Sequence, residues 1–252
     1  MAIRLYQFCV SHYSEKVRWA LDYKGINYQP VNLLPGQHVQ TIRKLTGAGS
    51  SVPVLDHDGQ LIQGSSRILD HLDHAFPEQP LMPEAPDLQA QARQWEQKLD
   101  SLAGPAIRTW VYHYYLQRPK VLGPMLTAGT PFYNRILLSL MFSRVEEQMR
   151  TWMKINQRTA DAAQQTLEQL ITELADTYQQ QAYLAGDRFS RADLTAGALL
   201  APLFQPQQFP VPWPRPGKIP QPVQAWLADW RPALEPVVRI YQRHRQPGFL
   251  AE

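Results

Sequence analysis

The 252-residue sequence is 44% hydrophobic and 19% charged, a globular composition, and it is long enough to bury a core without disulfides or metals. Its net charge is only +3, and its one candidate cationic cluster (Arg239, Arg243 and Arg245) is interpreted as the solvated end of a helix, which argues against a nucleic-acid partner. The single cysteine, Cys9, excludes an intrachain disulfide and a multi-cysteine metal site.

Nothing in the sequence indicates export or membrane insertion. Residues 1–5 lack the charged, apolar and small segments of a signal peptide. The strongest apolar run of the C-terminal half, residues 136–142, is far too short to span a bilayer. We therefore expect a cytoplasmic protein in a reducing compartment, without a membrane partner or a bound metal.

The first 77 residues alternate strand and helix patterns. Pro30 cannot donate to a strand ladder, so the second strand is predicted at a sheet edge. Asp58-Gly59 predicts the turn of a hairpin. In chain order the predicted elements are a strand at 3–8, a helix at 13–24, a strand at 26–33, a short helix at 37–45, a hairpin spanning 52–62 and a helix from 65 to 76. The order is βαβαββα.

The rest of the chain is predicted to be helical. Residues 78–87 form a Pro-rich linker between an N-terminal domain, 1–77, and an all-helical domain, 88–252. Ser190 and Asp193 form a capping-box pattern at the start of one helix. The other predicted features are a helix from 88 that is broken or kinked at Gly104-Pro105, a loop at 116–131, helices at 132–154 and 163–180, a Pro-rich loop at 202–222 and a final amphipathic helix through Trp226 and Trp230.

Five segments occur in an order that resembles the glutathione transferase family. Residues 5–21 are similar to its opening strand, Ser-Pro-Tyr-Ser segment and charged helix start, with His12 in place of the proline, and residues 36–38 (Gly-Gln-His) to a loop of theta-type members. Residues 51–55 resemble its Val-Pro-x-Leu segment, whose proline is cis, and residues 64–69 its Glu-Ser-x-Ala-Ile-Leu helix start. The capping box at 190–193 is the fifth. The resemblance implies a thioredoxin-like glutathione-binding domain followed by a helical domain, an α+β fold.

The resemblance assigns the catalytic role to Ser11, as a hydrogen-bond donor to the glutathione sulfur. A free thiol with a pKa of about 8.5 is mostly protonated at neutral pH. Lowering that pKa by about two units requires roughly 2.7 kcal/mol. A hydrogen bond to an anion contributes about 1.5–3 kcal/mol, and a helix N-terminus adds to it. Simple helix capping by Ser11 is the alternative, and Ser14 is the second candidate for the role.

The resemblance also implies the remaining glutathione contacts. The implied residues are His38 for the glycyl carboxylate, Val52 and Pro53 for the cysteinyl backbone, and Ser65 with Ser66 at a helix start for the γ-glutamyl carboxylate. Gly64 stands where the family has an acidic or amide side chain, which predicts weaker glutathione binding.

The aromatic segment 110–115 is predicted to line the pocket of the second substrate. We expect one or two of Trp110, Tyr112 and Tyr115 to face the cleft, although core packing is the alternative. His12 replaces a family proline and is predicted to be exposed at the helix start; the alternative is that it changes the approach to the thiolate or adds positive charge there. Cys9 is predicted to be a small buried apolar residue.

The function implied is a glutathione transferase that adds the thiolate to apolar electrophiles, with peroxidase or dehalogenase side activity, and that forms a homodimer. The alternative is a non-catalytic protein of the same fold that carries apolar ligands. A zeta-type isomerase is disfavoured because residues 11–13 read Ser-His-Tyr rather than Ser-Ser-Cys.

Overall fold

The computed structural model describes residues 2–47 and 49–245 and places a four-stranded mixed sheet at the start of the chain. The strands are β1 Ile3–Gln7, β2 Gln29–Asn32, β3 Val54–His57 and β4 Gln60–Gln63. Their spatial order is β2-β1-β3-β4; β1 pairs parallel with β2 and antiparallel with β3, which pairs antiparallel with β4. The fold is therefore the predicted thioredoxin-like arrangement followed by helices.

Three local predictions in this domain are confirmed. Pro30 lies on β2, an edge strand of the sheet. Asp58 and Gly59 form the hairpin turn with φ angles of 50° and 90°, a left-handed pair that favours glycine at the second position. The Val52–Pro53 peptide bond is cis.

The described residues also form ten α-helices. They are α1 His12–Tyr23, α2 His38–Thr46, α3 Ser65–Ala75, α4 Pro86–Lys98, α5 Gly104–Tyr115, α6 Pro119–Leu126, α7 Tyr133–Trp152, α8 Gln157–Gln180, α9 Arg191–Phe204 and α10 Gln221–His244. None of the helices within residues 2–47 and 49–245 is both long and apolar enough to cross a bilayer.

One prediction about the helical part is wrong. The helix predicted from residue 88 does change at Gly104-Pro105: α4 ends at Lys98, a π-helical turn, Leu99–Ala103, joins it to α5, and Pro105 lies in the first turn of α5, where its missing N–H is tolerated. The stretch 116–131 is not all loop, since it contains α6, whose two prolines conceal its helical pattern. Helix α8 begins six residues earlier than predicted, at a capping box of Asn156 and Thr159.

Helix α1 carries charged side chains that are buried. Glu15 accepts hydrogen bonds from Arg18 (2.8 Å), Arg245 (2.7 Å) and the Tyr241 hydroxyl (2.7 Å), and Arg245 also pairs with Asp22 at 2.7 Å. Burial opposes ionisation of Glu15, but the two guanidinium groups outweigh it and lower the pKa of this carboxyl. The prediction that Arg245 belongs to a solvated helix end is therefore wrong; it is 4% exposed.

A second buried group of charges joins α1 to the helical domain. The Lys16 ammonium lies 2.7 Å from carboxylate oxygens of both Glu96 and Asp100, and 3.0 Å from the Ser66 hydroxyl. Arg191 donates to Glu96 at 2.9 Å. We call Lys16, Ser66, Glu96, Asp100 and Arg191 the seam cluster. It connects α1 and α3 with α4, the π turn and α9.

Apolar packing between α1 and α9 adds to the contact that the seam cluster makes between the two domains. The Trp19 side chain is fully buried, lies 4.8 Å (ring centroids) from Tyr241, and donates its indole N–H to the His244 carbonyl at 3.1 Å. A Cβ atom at Gly197 of α9 would lie 2.6 Å from the indole ring. The absence of a side chain at Gly197 thus permits the close approach of the two helices.

We expect Gly197→Ala to destabilise the protein by about 1–3 kcal/mol, because the added methyl group overpacks against a rigid, buried indole. Gly123→Ala is the matched control, since a Cβ there, also within a helix, meets no atom within 4 Å. The control should be neutral or stabilising by up to about 1 kcal/mol. Urea unfolding of both variants measures the difference, and equal stabilities would contradict the packing argument.

We expect Lys16→Met to destabilise the protein by about 3–5 kcal/mol, because it removes the cation that pairs with Asp100 and leaves the buried Glu96 with Arg191 alone. Lys98 forms an ion pair with Glu173, but both side chains are more than a third solvent-exposed, at 35% and 45%. Lys98→Met should therefore lose at most about 1 kcal/mol. The free energies of unfolding in urea test this contrast, which fails if the two variants are equally stable.

Candidate active site

A cavity of about 420 Å³ lies between the sheet domain and the helical domain. One wall consists of the loop before α1, the first two residues of α1, and residues 35–36, 38–39 and 50–52. The opposite walls come from α5, from α6 and α7, and from residues at the end of α9, in the 205–213 loop and at the start of α10. Most side chains of these helical walls are aromatic or aliphatic, so the cavity suits an apolar ligand.

Ser11 lies on the cavity wall at the N-terminus of α1. Its backbone is extended (φ −75°, ψ 123°), and its Oγ accepts the Ser14 backbone N–H at 3.3 Å. A hydroxyl accepts and donates at the same time, so capping leaves the Ser11 proton free to donate into the cavity. The capping and catalytic interpretations of Ser11 are therefore compatible. The Ser14 hydroxyl is buried, has no hydrogen-bond partner among the described residues, and does not line the cavity.

His38 lies on the same wall, at the first position of α2. Its Nδ1 accepts the Gly36 backbone N–H at 3.1 Å, and its ring packs edge-on against Phe8 with centroids 4.7 Å apart. Because Nδ1 is an acceptor, the proton of the neutral ring is on Nε2, which can donate to a ligand. Partial burial lowers the pKa of His38.

The other predicted glutathione residues are divided between the cavity and its surroundings. Val52 lines the cavity, and Pro53 follows it, with its carbonyl accepting the Gly64 N–H at 3.0 Å. Ser65 is buried at the start of α3, and the Ser66 hydroxyl donates to Asp100 at 2.6 Å within the seam cluster. Pro53, Ser65 and Ser66 are not among the residues that line the cavity.

Gly64 precedes α3 with a φ of +100°, a left-handed conformation in which side chains are strained. The local backbone thus explains why glycine stands at this position.

All three predicted aromatic residues line the cavity. Trp110 is only 1% exposed; its ring also packs on Trp226 with centroids 4.6 Å apart, so it belongs to both core and wall. Tyr112 is half-buried, and burial raises the pKa of Tyr115 to about 12. In the segment 110–115, packing in the core and lining of the cavity are therefore compatible roles for the same side chains.

Several wall residues were not predicted. Helices α6 and α7 contribute an apolar wall, which was not predicted because residues 116–131 were interpreted as loop. Trp213 reaches the cavity from the Pro-rich loop. The Trp213 indole is held by the Pro206 carbonyl at 2.9 Å. The only sequence signal for the α6–α7 wall was the amphipathic pattern at 132–154, which does not say what the helix faces.

His12 contradicts its prediction. It is 7% exposed rather than solvated, and it lines the cavity beside Ser11. Its ring forms a hydrogen bond to the Gly104 carbonyl, and Nε2 has no partner among the described residues. Burial, and then the charge of Arg108, lowers the pKa of His12 to about 3, so the imidazole is neutral at neutral pH.

The close fit of α1 to α5 explains this burial. The Tyr13 hydroxyl donates to the Asp100 carbonyl at 2.6 Å, and a Cβ at Gly104 would lie 2.0 Å from that hydroxyl. The π turn thus offers a backbone acceptor to Tyr13, and the glycine after it lets the first turn of α1 press against the helical domain. Burial raises the pKa of Tyr13 to about 12.

Cys9 is buried, as predicted, at 7% exposure, and burial raises the pKa of its thiol. Within residues 2–47 and 49–245, no three His, Cys, Asp or Glu side chains are grouped as metal ligands.

Comparison with known families identifies the chain. The family description "Glutathione S-transferase, N-terminal domain" matches residues 5–80, and "Glutathione S-transferase, C-terminal domain" matches residues 130–227. The chain belongs to the glutathione S-transferase family. These two matches include the sheet domain, α7 and α9, whereas α5 and α6 lie between the two matched segments.

Individual relatives agree with this assignment. The chain is 38% identical over 97 residues to glutathione S-transferase 1 of Dianthus caryophyllus, covering 37% of this chain and 42% of that protein. It is 36% identical over 123 residues to maleylacetoacetate isomerase of Dictyostelium discoideum, covering 47% of this chain and 52% of that protein. The chain thus matches only about half the length of these curated relatives.

The fold is similar to a crystal structure of a glutathione S-transferase from Methylobacterium radiotolerans in complex with glutathione sulfonate. The TM-score is 0.64 at 22% identity, with 96% of this chain and 92% of that chain covered. At this identity the likeness shows the fold, and it extends over nearly the whole of both chains.

We expect His12→Gln to reduce the pH dependence of stability. The folded pKa of about 3 lies below the ordinary value of 6.5, so between these values the unfolded imidazole binds a proton that the folded one does not. Stability is therefore fully present above pH 6.5 and falls as the pH decreases. Between pH 7 and pH 5 the loss amounts to about 2 kcal/mol, at 1.36 kcal/mol per pH unit.

Urea unfolding of both proteins at pH 7 and pH 5 measures this difference. Tyr13→Phe is the control. It perturbs the same contact between α1 and the helical domain but removes no group that titrates between pH 5 and pH 7, so it should keep the full pH dependence. A His12→Gln variant with the same pH dependence as the unmodified protein would contradict a buried, neutral imidazole.

Proposed function

We propose that this protein is a glutathione transferase that adds the glutathione thiolate to apolar electrophiles. The observation that carries the proposal is the Ser11 hydroxyl, which caps the N-terminus of α1 as an acceptor and lies on the wall of an apolar cavity. Family membership supports glutathione as the co-substrate.

The chemistry follows from the position of Ser11. A sulfur atom beside its hydroxyl receives a hydrogen bond that favours the anion, and the positive end of the α1 dipole acts in the same direction. Together these effects match the roughly 2.7 kcal/mol needed to lower the thiol pKa by about two units. The sulfur then attacks the electrophile, a carbon–sulfur bond forms, and the leaving group departs with the electron pair.

The remaining roles are assigned by geometry and resemblance. His38 Nε2–H is available for the glycyl carboxylate, and the Val52–Pro53 segment lies beside the cavity to pair with the cysteinyl backbone. Ser65 at the start of α3 remains our candidate for the γ-glutamyl carboxylate. We omit Ser66 from the site because Lys16 and Asp100 engage its hydroxyl.

The aromatic wall supports a flat, apolar second substrate. Trp110, Tyr112 and Tyr115 present ring surface to the cavity, and α6 and α7 add aliphatic side chains. The same thiolate would reduce a peroxide or displace a halide, so peroxidase and dehalogenase side activities are consistent with this site. A homodimer and a cytoplasmic location are proposed from family membership alone.

A carrier of apolar ligands is the second candidate. The size and apolarity of the cavity favour it, as does Gly64, which offers no side chain to the γ-glutamyl ammonium. Retention on immobilised glutathione with turnover of 1-chloro-2,4-dinitrobenzene supports the enzyme. Tight binding of an apolar dye without such retention supports the carrier.

We expect Ser11→Ala to lower the conjugation rate at least tenfold, about 1.4 kcal/mol, while the affinity for glutathione stays within a few-fold. The reason is that the hydroxyl acts on the thiolate rather than on docking of the peptide. The measurements are steady-state kinetics with 1-chloro-2,4-dinitrobenzene and glutathione binding by calorimetry.

Ser14→Ala is the matched control, since it removes a buried hydroxyl of the same helix that does not line the cavity. It should retain the rate. An unchanged rate in Ser11→Ala would move thiolate stabilisation to the backbone amides of α1 and overturn the role given to the hydroxyl.

A further inference from the structure

The described residues that line the cavity carry an uneven set of charges. Arg108 is the only lysine or arginine among them, and none of them is an aspartate or glutamate. An arginine among mostly apolar side chains, with no carboxylate on the wall to neutralise it, makes the cavity electropositive. A purely apolar ligand in the cavity would offer the Arg108 guanidinium no anionic partner.

Arg108 faces the part of the cavity where the reaction is proposed. Gly104, Arg108 and Tyr112 are spaced by four residues on α5 and so share one face of the helix. The carbonyl of Gly104 is the partner of His12, which follows Ser11 directly. Arg108, His12 and Tyr112 all line the cavity, and the charge of Arg108 acts with burial to lower the pKa of His12.

His12 provides a second polar contact at the same place. Its ring is more than nine-tenths buried, it lines the cavity, and its Nε2 has no partner among the described residues. A buried acceptor without a partner is satisfied when a ligand brings a donor to it. Because the His12 ring is neutral, it does not repel the Arg108 guanidinium, and it does not attract an anionic ligand away from Arg108.

We infer that the second substrate is an aromatic electrophile that bears an acidic group, which the Arg108 guanidinium binds while the ring lies against the aromatic wall. The His12 Nε2 accepts a hydrogen bond from a donor on the bound molecules. This inference rests on the proposed function for the reaction and adds the class of its substrate.

The test compares 4-chloro-3-nitrobenzoate with its neutral methyl ester. In both, the glutathione sulfur forms a bond to the ring carbon, chloride leaves with the electrons of the carbon–chlorine bond, and the thiol proton passes to solvent. Each kcat/KM is divided by the uncatalysed rate constant of the same compound, because the ester is intrinsically more reactive. We expect this normalised value to favour the acid at least fivefold.

Arg108→Gln should abolish the preference for the acid. Arg135 on α7 is exposed, as Arg108 is, but it does not line the cavity, so Arg135→Gln removes the same charge and should keep the preference. The inference is overturned if the unmodified protein turns over the ester with no preference for the acid, or if both variants behave alike.

A second measurement does not depend on turnover. Nile red, a neutral dye, is bound in the cavity and displaced by 3-nitrobenzoate or by its methyl ester. We expect the acid to displace the dye at least fivefold more strongly than the ester, and Arg108→Gln to remove this difference. Preferential displacement without any turnover would refute the transferase and uphold the anion site; turnover with equal displacement would do the reverse.

Discussion

The burial of charged side chains on α1 is the constraint on which the site depends. Glu15 and Lys16 are fully buried and Arg18 nearly so, and a buried charge is tolerated only where partners surround it. Those partners come from α4, the π turn and the residue that follows α10. Because their positions are set by short ion pairs, α1 has one orientation against the helical domain, and its first residues face the cavity.

The same constraint decides which hydroxyl of the α1 N-terminus is available. The Tyr13 hydroxyl is directed at the Asp100 carbonyl of the π turn, and it belongs to the seam between the domains. The Ser11 hydroxyl caps the helix as an acceptor and keeps its proton. The π turn and Gly104 therefore stabilise the contact between the domains and leave Ser11 as the free donor in the cavity. The contact that joins α1 to the helical domain thus also determines which hydroxyl can act on the sulfur.

Sequence reasoning succeeded where the deciding interactions are local. The Asp58-Gly59 turn and the capping box of Ser190 and Asp193 involve residues at most three apart, and both occur as predicted. It failed for His12 and Arg245, which were expected in solvent and are buried. Nothing in the neighbouring residues distinguishes a solvated charge from one that meets a distant partner.

The amino-acid sequence by itself determined the βαβαββα order of the N-terminal domain and the edge position of β2, because periodicity and turns act over a few residues. Its five segments, taken in order, carried the resemblance to the family. Only the tertiary structure decided which polar groups are exposed. Glu15 and Arg245 are 230 residues apart in sequence, and Lys16 and Asp100 are 84 apart. The energy of burying such groups depends on contacts that exist only after the chain has folded. For that physical reason the lining of the cavity, with its buried imidazole and its single cation among the described wall residues, could not be read from the sequence.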